Sequence, residues 1–426
     1  MVIRLLTCLL AASLAAEPGG QSEGPRAVRE PSVTSRKNPD LDALGKLAAK
    51  APPLPAPQGP VVRVATAEEL YKAVGDAKPG TTVFLADGVY QMTSSLVIST
   101  DRLALRGQSG DREKVRLDRG GRGGGGCVMV AGADDVLIAD LTIRNSATHG
   151  VHVQPERGAQ RTKIYNVKFH NIFVRHIKGS HPKYPHEPVE PYRDEILRKR
   201  PVGGQIRYCL FVNDARKTDA NDGFGGDYVG GIDMMWLKDW TIADNVFVGI
   251  RGRNGIGRGA IFIWVHSENV TAERNIIVNC DRGICFGNPS GSPVHMTGGI
   301  VRNNFIVTGA SQGIEICRTE NTLVAHNTVY ATGPTHPSAV QFHQHTRNAR
   351  FVNNLVHGQV RLTDGVTEKG NTVGDCAALL ADPAACDLRL KPGADPPRVE
   401  RIGEVPEDFD RRPRSAQTAP GACQLK

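Results

Sequence analysis

Gly231-Ile232-Asp233-Met234 and, fourteen residues later, Asn245-Val246-Phe247-Val248 are the two halves of a unit that recurs along the chain. The first half is a small residue followed by apolar-x-apolar. It returns as Gly150-Val151-His152-Val153, Ala260-Ile261-Phe262-Ile263, Gly283-Ile284-Cys285-Phe286, Gly313-Ile314-Glu315-Ile316 and Ala339-Val340-Gln341-Phe342. The second half, Asn followed by apolar residues, returns as Asn166-Val167, Asn275-Ile276-Ile277-Val278, Asn304-Phe305-Ile306-Val307, Asn327-Thr328-Val329 and Asn354-Leu355-Val356. From the small residue to the Asn the step is 16, 14, 15, 21, 14 and 15 residues, and the outlier contains the insertion Asn288-Pro289-Ser290-Gly291-Ser292-Pro293. Successive Asn positions after Asn245 are 30, 29, 23 and 27 apart.

A repeat of that length built from short, β-branched apolar runs is one coil of a solenoid of parallel strands, not a helical repeat. Strands apolar on both faces agree with parallel pairing. Each Asn is expected at an inward bend, where it tolerates left-handed backbone angles, and its amide can hydrogen-bond from coil to coil. The pattern resembles the right-handed parallel β-helix superfamily that holds pectate lyases, chondroitinase B and alginate lyases. The entry segment Thr66 to Tyr90, ending Leu85-Ala86-Asp87-Gly88-Val89-Tyr90, is similar to that of the same group. The stretch Gly231 to Asn304 is similar to secreted bacterial β-helix repeat proteins. The resemblance covers about residues 61–375 and implies an all-β fold, a right-handed parallel β-helix with a short N-terminal capping helix.

The bulk composition agrees. Abundant glycine (47 of 426 residues) and only 5% aromatics suit many turns and argue against a helical bundle. The net charge of +8 favours an acidic partner, and no basic motif of a nucleic-acid-binding module is present. Residues 1–16 read as a signal peptide: Arg4, an apolar run Leu5 to Leu14, and Ser13-Leu14-Ala15 for cleavage. A secreted or periplasmic protein follows. Cys8 in Leu5-Leu6-Thr7-Cys8 lies too near the start for a lipoprotein signal, and no apolar run is long enough to span a bilayer. A monomer is expected.

Residues 17–60, rich in Pro and Ala, read as a disordered spacer. Thr66-Ala67-Glu68-Glu69-Leu70 is a capping box opening the helix that covers the first coil. Two insertions, 178–204 and 213–230, leave the coils as loops flanking one face. Residues 376–426 read as a C-terminal tail, with a basic cluster Arg411-Arg412-Pro413-Arg414. Of the eight cysteines beyond the leader, Cys376 and Cys386 are the best disulfide pair, and Cys127, Cys209 and Cys280 read as buried small hydrophobes.

Because strand side chains alternate, the x positions form an outward column: His152, Asp233, Phe262, Cys285, Glu315, Gln341. The next column is Gln154, Met235, Trp264, Gly287, Cys317, His343, and beyond it lie Lys238, His266, Arg318 and His345. Together these outline a groove for an acidic polysaccharide. Asp233, Trp264, Glu315, Gln341, His343 and His345 are candidate substrate-binding residues, with Trp264 as an exposed stacking platform. Asp233 and Glu315 fall three coils apart, roughly 14 Å, too far for the carboxylate pair of a glycosidase, which needs about 5–9.5 Å.

β-Elimination of a uronate needs a base and a cation on the substrate carboxylate. Lys238 and His266 are the candidate base and proton donor, and Arg318 or Arg282 the carboxylate clamp. The resemblance to β-helix lyases implies Lys or Arg as base, often with Ca²⁺, and Asp219, Asp222 and Asp227 are candidate Ca²⁺ ligands through oxygen. The loop is not a complete EF-hand, and the Lys-to-Arg catalytic pattern of chondroitinase B is not matched. The chain thus reads as a lyase on a uronate-containing glycan, with a hydrolase or uronate epimerase as the alternative on the same fold and a non-catalytic carbohydrate-binding or cell-surface solenoid as the alternative from another class.

Overall fold

The computed structural model describes residues 37–179, 193–291, 294–308, 311–332 and 338–425. The chain winds through three parallel sheets, here called faces A, B and C, of 12, 11 and 10 strands. One coil runs Thr241–Ala243 on face A, Val246–Val248 on face B and Gly259–Trp264 on face C, and the next coil begins at Thr271–Glu273, again on face A. Every neighbouring pair on the three faces is parallel, with register kept along the stack as in Val246↔Ile276↔Phe305↔Thr328 on face B, where one bulge falls between Val278 and Cys280. This is the right-handed parallel β-helix.

The interior is a stack of like residues. Phe169, Phe211 and Phe247 lie face to face, with ring centroids 4.9 and 4.4 Å apart and planes within 8° and 7° of parallel. Ile232, Ile261, Ile284 and Ile314 form a second stack, fully buried. Helix α1 (Leu41–Leu47) was not foreseen. Helix α2 (Ala67–Gly75) was: Glu69 N–H donates to Thr66 Oγ1 and Thr66 N–H to Glu69 Oε2, the full capping box. Its Leu70 and Val74 close the first coil.

Two residues turn face A into face B, and they divide the labour expected of a single Asn. The first takes the left-handed conformation, as at Asp244 (φ 62°), Arg274 (51°), Asn303 (53°), His326 (53°) and Asn353 (57°). The second is the repeated Asn, whose side chain points inward. Asn304 Oδ1 accepts from the backbone N–H and the Nδ2 of Asn275, at 2.9 and 3.0 Å. Asn304 Nδ2 donates to Asn327 Oδ1 at 2.8 Å. The same pattern links Asn245, Asn275, Asn304, Asn327, Asn354 and Asn371 in one ladder.

The ends of the chain differ from the expectation. The signal-peptide segment lies outside the described residues. Within 17–60, residues 38–60 are packed and not a free spacer: Asn38 Nδ2 donates to Asn213 O, and Pro52 O and Pro55 O accept from Tyr165 OH and Arg106 Nη1. Leu44 is buried on the outer side of face B, among Val212, Val248 and Val278. Residues 376–425 run back beside several coils instead of covering only the last. Phe409 stacks on Phe305 at 4.1 Å, and Arg414, 2% exposed, donates to Asn303 Oδ1 and to the carbonyls of Gly421 and Ala422. Arg411 pairs with Asp244 at 2.6 Å. The basic cluster is therefore structural. Cys376 and Cys386 are not bonded to each other: all eight described cysteines are free thiols and buried.

The ladder makes a sharp test possible. Asn304→Ala leaves the buried backbone N–H of Asn275 without its acceptor, and takes one of two bonds from Asn275 Nδ2, which keeps Ile242 O, and from Asn327 Oδ1, which keeps the backbone N–H of residue 304. A loss of about 3 kcal/mol is expected, read as a lower urea midpoint at unchanged slope.

Candidate functional site

Face C carries a mixed polar and charged column outward. In hydrogen-bonded register its outward column reads Met129, His152, Lys178, Asp233, Phe262, Cys285, Glu315, Gln341, Arg361. Asp233 and Glu315 are separated by three strand steps, about 14 Å, so they do not form a two-carboxylate hydrolytic pair.

At the first of two clusters, Asp233 is buried at 1% exposure. Its Oδ2 accepts from Arg175 Nε at 2.6 Å and Lys178 Nζ at 2.9 Å, and its Oδ1 from Trp264 Nε1 at 3.1 Å. Burial alone raises the pKa of this carboxyl, but Lys178 and Arg175 outweigh it and hold the group ionised, well below the usual range. Tyr228 completes the cluster, with its ring under the Arg175 guanidinium at 3.7 Å and its hydroxyl 3.1 Å from Lys178 Nζ. Two coils earlier, His149 and His152 of one strand meet edge to face at 5.5 Å. Burial, with the neighbouring positive charges, pulls them to about 3 and about 4, so both are neutral.

The second cluster centres on Glu315, 5% exposed. His343 Nε2 lies 2.9 Å from its Oε1 and Arg282 Nε 3.6 Å from its Oε2. Arg282 also donates to Ser311 Oγ, and Gln312 links on to Gln341. Between the clusters is a cleft of about 100 Å³ lined by Arg258, Phe262, Arg282, Cys285, Gly287 and Glu315, with Asn288 and Pro289 at its side. Arg258 is half-buried and lies 6.0 Å from the Phe224 and Phe262 rings. Among the described residues no carboxylate pairs with it. Desolvation, then the like charges of Arg175 and Arg282, lower its pKa. The loop before it, 252–257, hangs on Asp281, whose Oδ2 accepts from the N–H groups of Gly252 (2.7 Å) and Gly257 (2.9 Å).

The residues singled out from the sequence are only partly brought together. Asp233 and Trp264 touch, and Glu315, Arg282, His343 and Gln341 form a connected set. Trp264 is not an exposed platform: it is 8% exposed and stacks on Phe262 at 4.9 Å. Lys238 and His266 lie at the corner between faces C and A. Lys238 pairs with Glu268 at 3.1 Å, and His266 stacks on Trp236 at 4.7 Å. Both thus belong to the corner and not to the Asp233 or Glu315 cluster. Arg318 donates to Pro289 O at 3.0 Å, and His345 is exposed at a turn.

The three aspartates proposed for Ca²⁺ are occupied otherwise. Asp219 pairs with Lys217 at 2.7 Å. Asp222 accepts from the backbone N–H groups of Phe224, Gly226 and Tyr228. Asp227 accepts from the main chain and side chain of Asn254. These carboxylates shape the loop, and they do not fit a calcium cage.

Arg175, Lys178, Tyr228 and Arg258 were missed from the sequence. The strand Arg175–Gly179 puts the buried His176 where the neighbouring coils have a small residue, and ends in Gly179, where a Cβ would meet Met234 Cε at 2.6 Å. Only its central Ile177-Lys178 keeps the apolar-x alternation.

The fold and this face define the class of protein: a right-handed parallel β-helix carrying a charged cleft on one sheet. The profile of the family described as NosD, periplasmic copper-binding protein, matches residues 195–372. Among solved structures, pectate lyase Pel9A is similar in fold at 10% identity, over 83% of this chain and 90% of that chain, with a TM-score of 0.53. An alginate lyase from Paenibacillus sp. str. FPU-7 aligns at 16% identity over 74% and 96% of the two chains, with a TM-score of 0.42. PfbA, a surface adhesin of Streptococcus pneumoniae, aligns at 10% over 72% and 86%, with a TM-score of 0.46. No curated protein matches by sequence. No described helix is long and apolar enough to cross a membrane.

The electrostatics of the site can be checked at two buried acids. Arg175→Met leaves Asp233 buried with one cation, and a loss of about 3–5 kcal/mol is expected in urea unfolding. Adding Asp233→Leu and Lys178→Met to the same chain, so that no unpaired charge stays buried, recovers most of it. Burial raises Asp281 from 3.8 to about 6, so the folded state holds a proton that the unfolded chain releases. Stability from this group is therefore lost as pH rises from about 4 to about 6. Relative to Asp281→Asn, the wild-type chain should lose about 3 kcal/mol across that window. Parallel pH curves for the two proteins contradict this.

Proposed function

We propose that the chain is an exported β-helix protein that takes an acidic, uronate-containing glycan on face C and cleaves it by β-elimination. The observation that carries the reading is the face C cleft, where Arg258 and Arg282 line the opening and Arg258 has no carboxylate partner among the described residues. A guanidinium held half out of water beside other cations is a site for an anionic group, and a planar fork matches a carboxylate. The buried Asp233 network keeps Arg175 and Lys178 fixed behind it.

In the elimination a base removes the proton next to the uronate carboxylate. The electron pair passes to the carboxylate-stabilised enolate, and the C–O bond to the leaving sugar breaks as that oxygen gains a proton. On this reading Arg258 and Arg282 neutralise the enolate. Lys178, ion-paired with Asp233 at 2.9 Å, adds positive charge behind the cleft, and Lys238, paired with Glu268 at the corner, takes no part. The β-helix of pectate lyase Pel9A supports the scaffold and not the substrate.

A non-catalytic reading has its own support in the profile match to a family described as copper-binding. One experiment separates the two: incubation with pectate, alginate, chondroitin and heparan, with and without chelator, followed by the ultraviolet absorbance of unsaturated uronates. The lyase reading expects absorbance that falls at least about tenfold in Arg258→Ala and in Lys178→Ala and stays unchanged in Lys238→Ala. New reducing ends without absorbance indicate hydrolysis. Retardation in a glycan gel with neither product indicates binding alone and removes the elimination mechanism.

A further inference from the structure

Beside the cleft, face C gathers donor atoms that sugar chemistry does not need. Glu315 and Cys317 stand two residues apart on one strand end, and His343 stands on the next coil. A carboxylate oxygen, the Cys317 Sγ and an imidazole nitrogen all lie within 4.8 Å of one another. The preceding coil makes room for them. Its residue in the same column is Gly287 (φ 83°), where a Cβ would fall 1.8 Å from Cys317 O and 3.3 Å from His295 Cβ. Glu315 is held from two more sides, by Arg282 on Oε2 and by the Cys285 thiol. Partners of that kind fix the orientation of a metal-binding carboxylate.

We propose that Glu315, Cys317 and His343 bind one transition-metal ion of the zinc(II) type, with its remaining coordination position toward the cleft. Thiolate, imidazole and carboxylate are together a borderline set that suits zinc or copper and does not suit calcium or magnesium. Bonds of about 2.0–2.3 Å place such donors roughly 3.5 Å apart, so the present spacing needs only a small closure. Binding converts the Cys317 thiol to thiolate and releases its proton to water; the Glu315–His343 hydrogen bond is exchanged for two bonds to the ion. The site stands whether or not the glycan reading does.

The other cluster of this kind, Asp408, Asp410 and Cys423, is a poorer candidate. Arg412 occupies Asp408 at 2.6 Å, and Arg389 occupies Asp410 at 2.8 Å. Those carboxylates already hold the C-terminal arm.

The test uses the full chain, stripped with chelator under reducing conditions. It is titrated with Zn²⁺ against a chromophoric competitor, and separately with Co²⁺ as a spectroscopic probe. The expected result is one equivalent of either ion and a thiolate-to-cobalt charge-transfer band. Cys317→Ser abolishes the band and weakens Zn²⁺ at least about 100-fold. His343→Gln, at a half-exposed position, keeps the band and weakens Zn²⁺ at least about tenfold. Cys423→Ser changes nothing. No bound equivalent, a cobalt complex without the thiolate band, or wild-type affinity in folded His343→Gln overturns the proposal. Loss of binding in Cys423→Ser alone moves the ion to the other cluster and overturns it equally.

Discussion

A coil that runs over three faces buries backbone N–H groups at its corners, and these must find partners within the stack. At the corner between faces A and B the partner is the side chain of the Asn on the following coil. Asn275 Oδ1 takes both the N–H and the Nδ2 of Asn245, and each rung repeats this. The bond forms only if successive coils are aligned residue for residue, so the ladder sets register for the whole stack. A slip of one residue would place an apolar side chain where Oδ1 is required and would turn the outward columns of face C inward. Everything that face C does depends on that alignment.

Given the register, the chemistry of face C is a matter of which residue each coil contributes to one line. Lys178, Asp233, Phe262, Cys285 and Glu315 are far apart in sequence and adjacent in space. Two acids spaced by three strands cannot share one reacting bond, but each can organise cations. Asp233 takes up Arg175 and Lys178, and Glu315 takes up Arg282 and His343. Arg258 enters between them from a loop pinned by Asp281, and among the described residues no acid answers it. The cleft is positive because the number of cations aimed at this face exceeds the number of carboxylates on it.

The repeat made the coil legible because core positions are read by every neighbour: the small residue, the alternating apolar pair and the inward Asn recur wherever a coil stacks on two others. The column Asp233, Phe262, Cys285, Glu315, Gln341 followed from alternation alone and is in place. What alternation could not show was what lay over the column or beside it. Trp264 belongs to the right face, yet its indole turns to Asp233 and packs on Phe262. Lys238 and His266 were assigned by counting past the strand end, but the left-handed turn at Trp236 and at Val265-His266 carries the chain around the corner. Arg175 and Lys178 sit on a strand that has His176 in place of the small leading residue and Gly179 in place of the second apolar one, so the template that found its neighbours passed over it. Arg258 and Tyr228 come from loops, where no periodicity exists to be read.

The apolar outer side of face B explains the two arms, one of which reads from composition as a disordered spacer and the other as a tail. Leu210, Val212, Val246, Val248, Ile276 and Phe305 face away from the interior, and a bare sheet of that kind would expose a broad hydrophobic surface. Leu44 from the N-terminal arm and Phe409, Leu380 and Leu388 from the C-terminal arm cover it. Val405 does the same for Leu323, Ala325 and Val352 on face A. Proline-rich chain suits such a cover, because it lies extended across coils without needing strand partners for its missing N–H groups. The arms thus take up outer surface on faces A and B, while the charged column and its cleft remain on face C. With the outer side of face B covered and charges of face A such as Glu273 and Arg302 paired with each other, the open cleft of face C is the wall left for recognition before any particular ligand is considered.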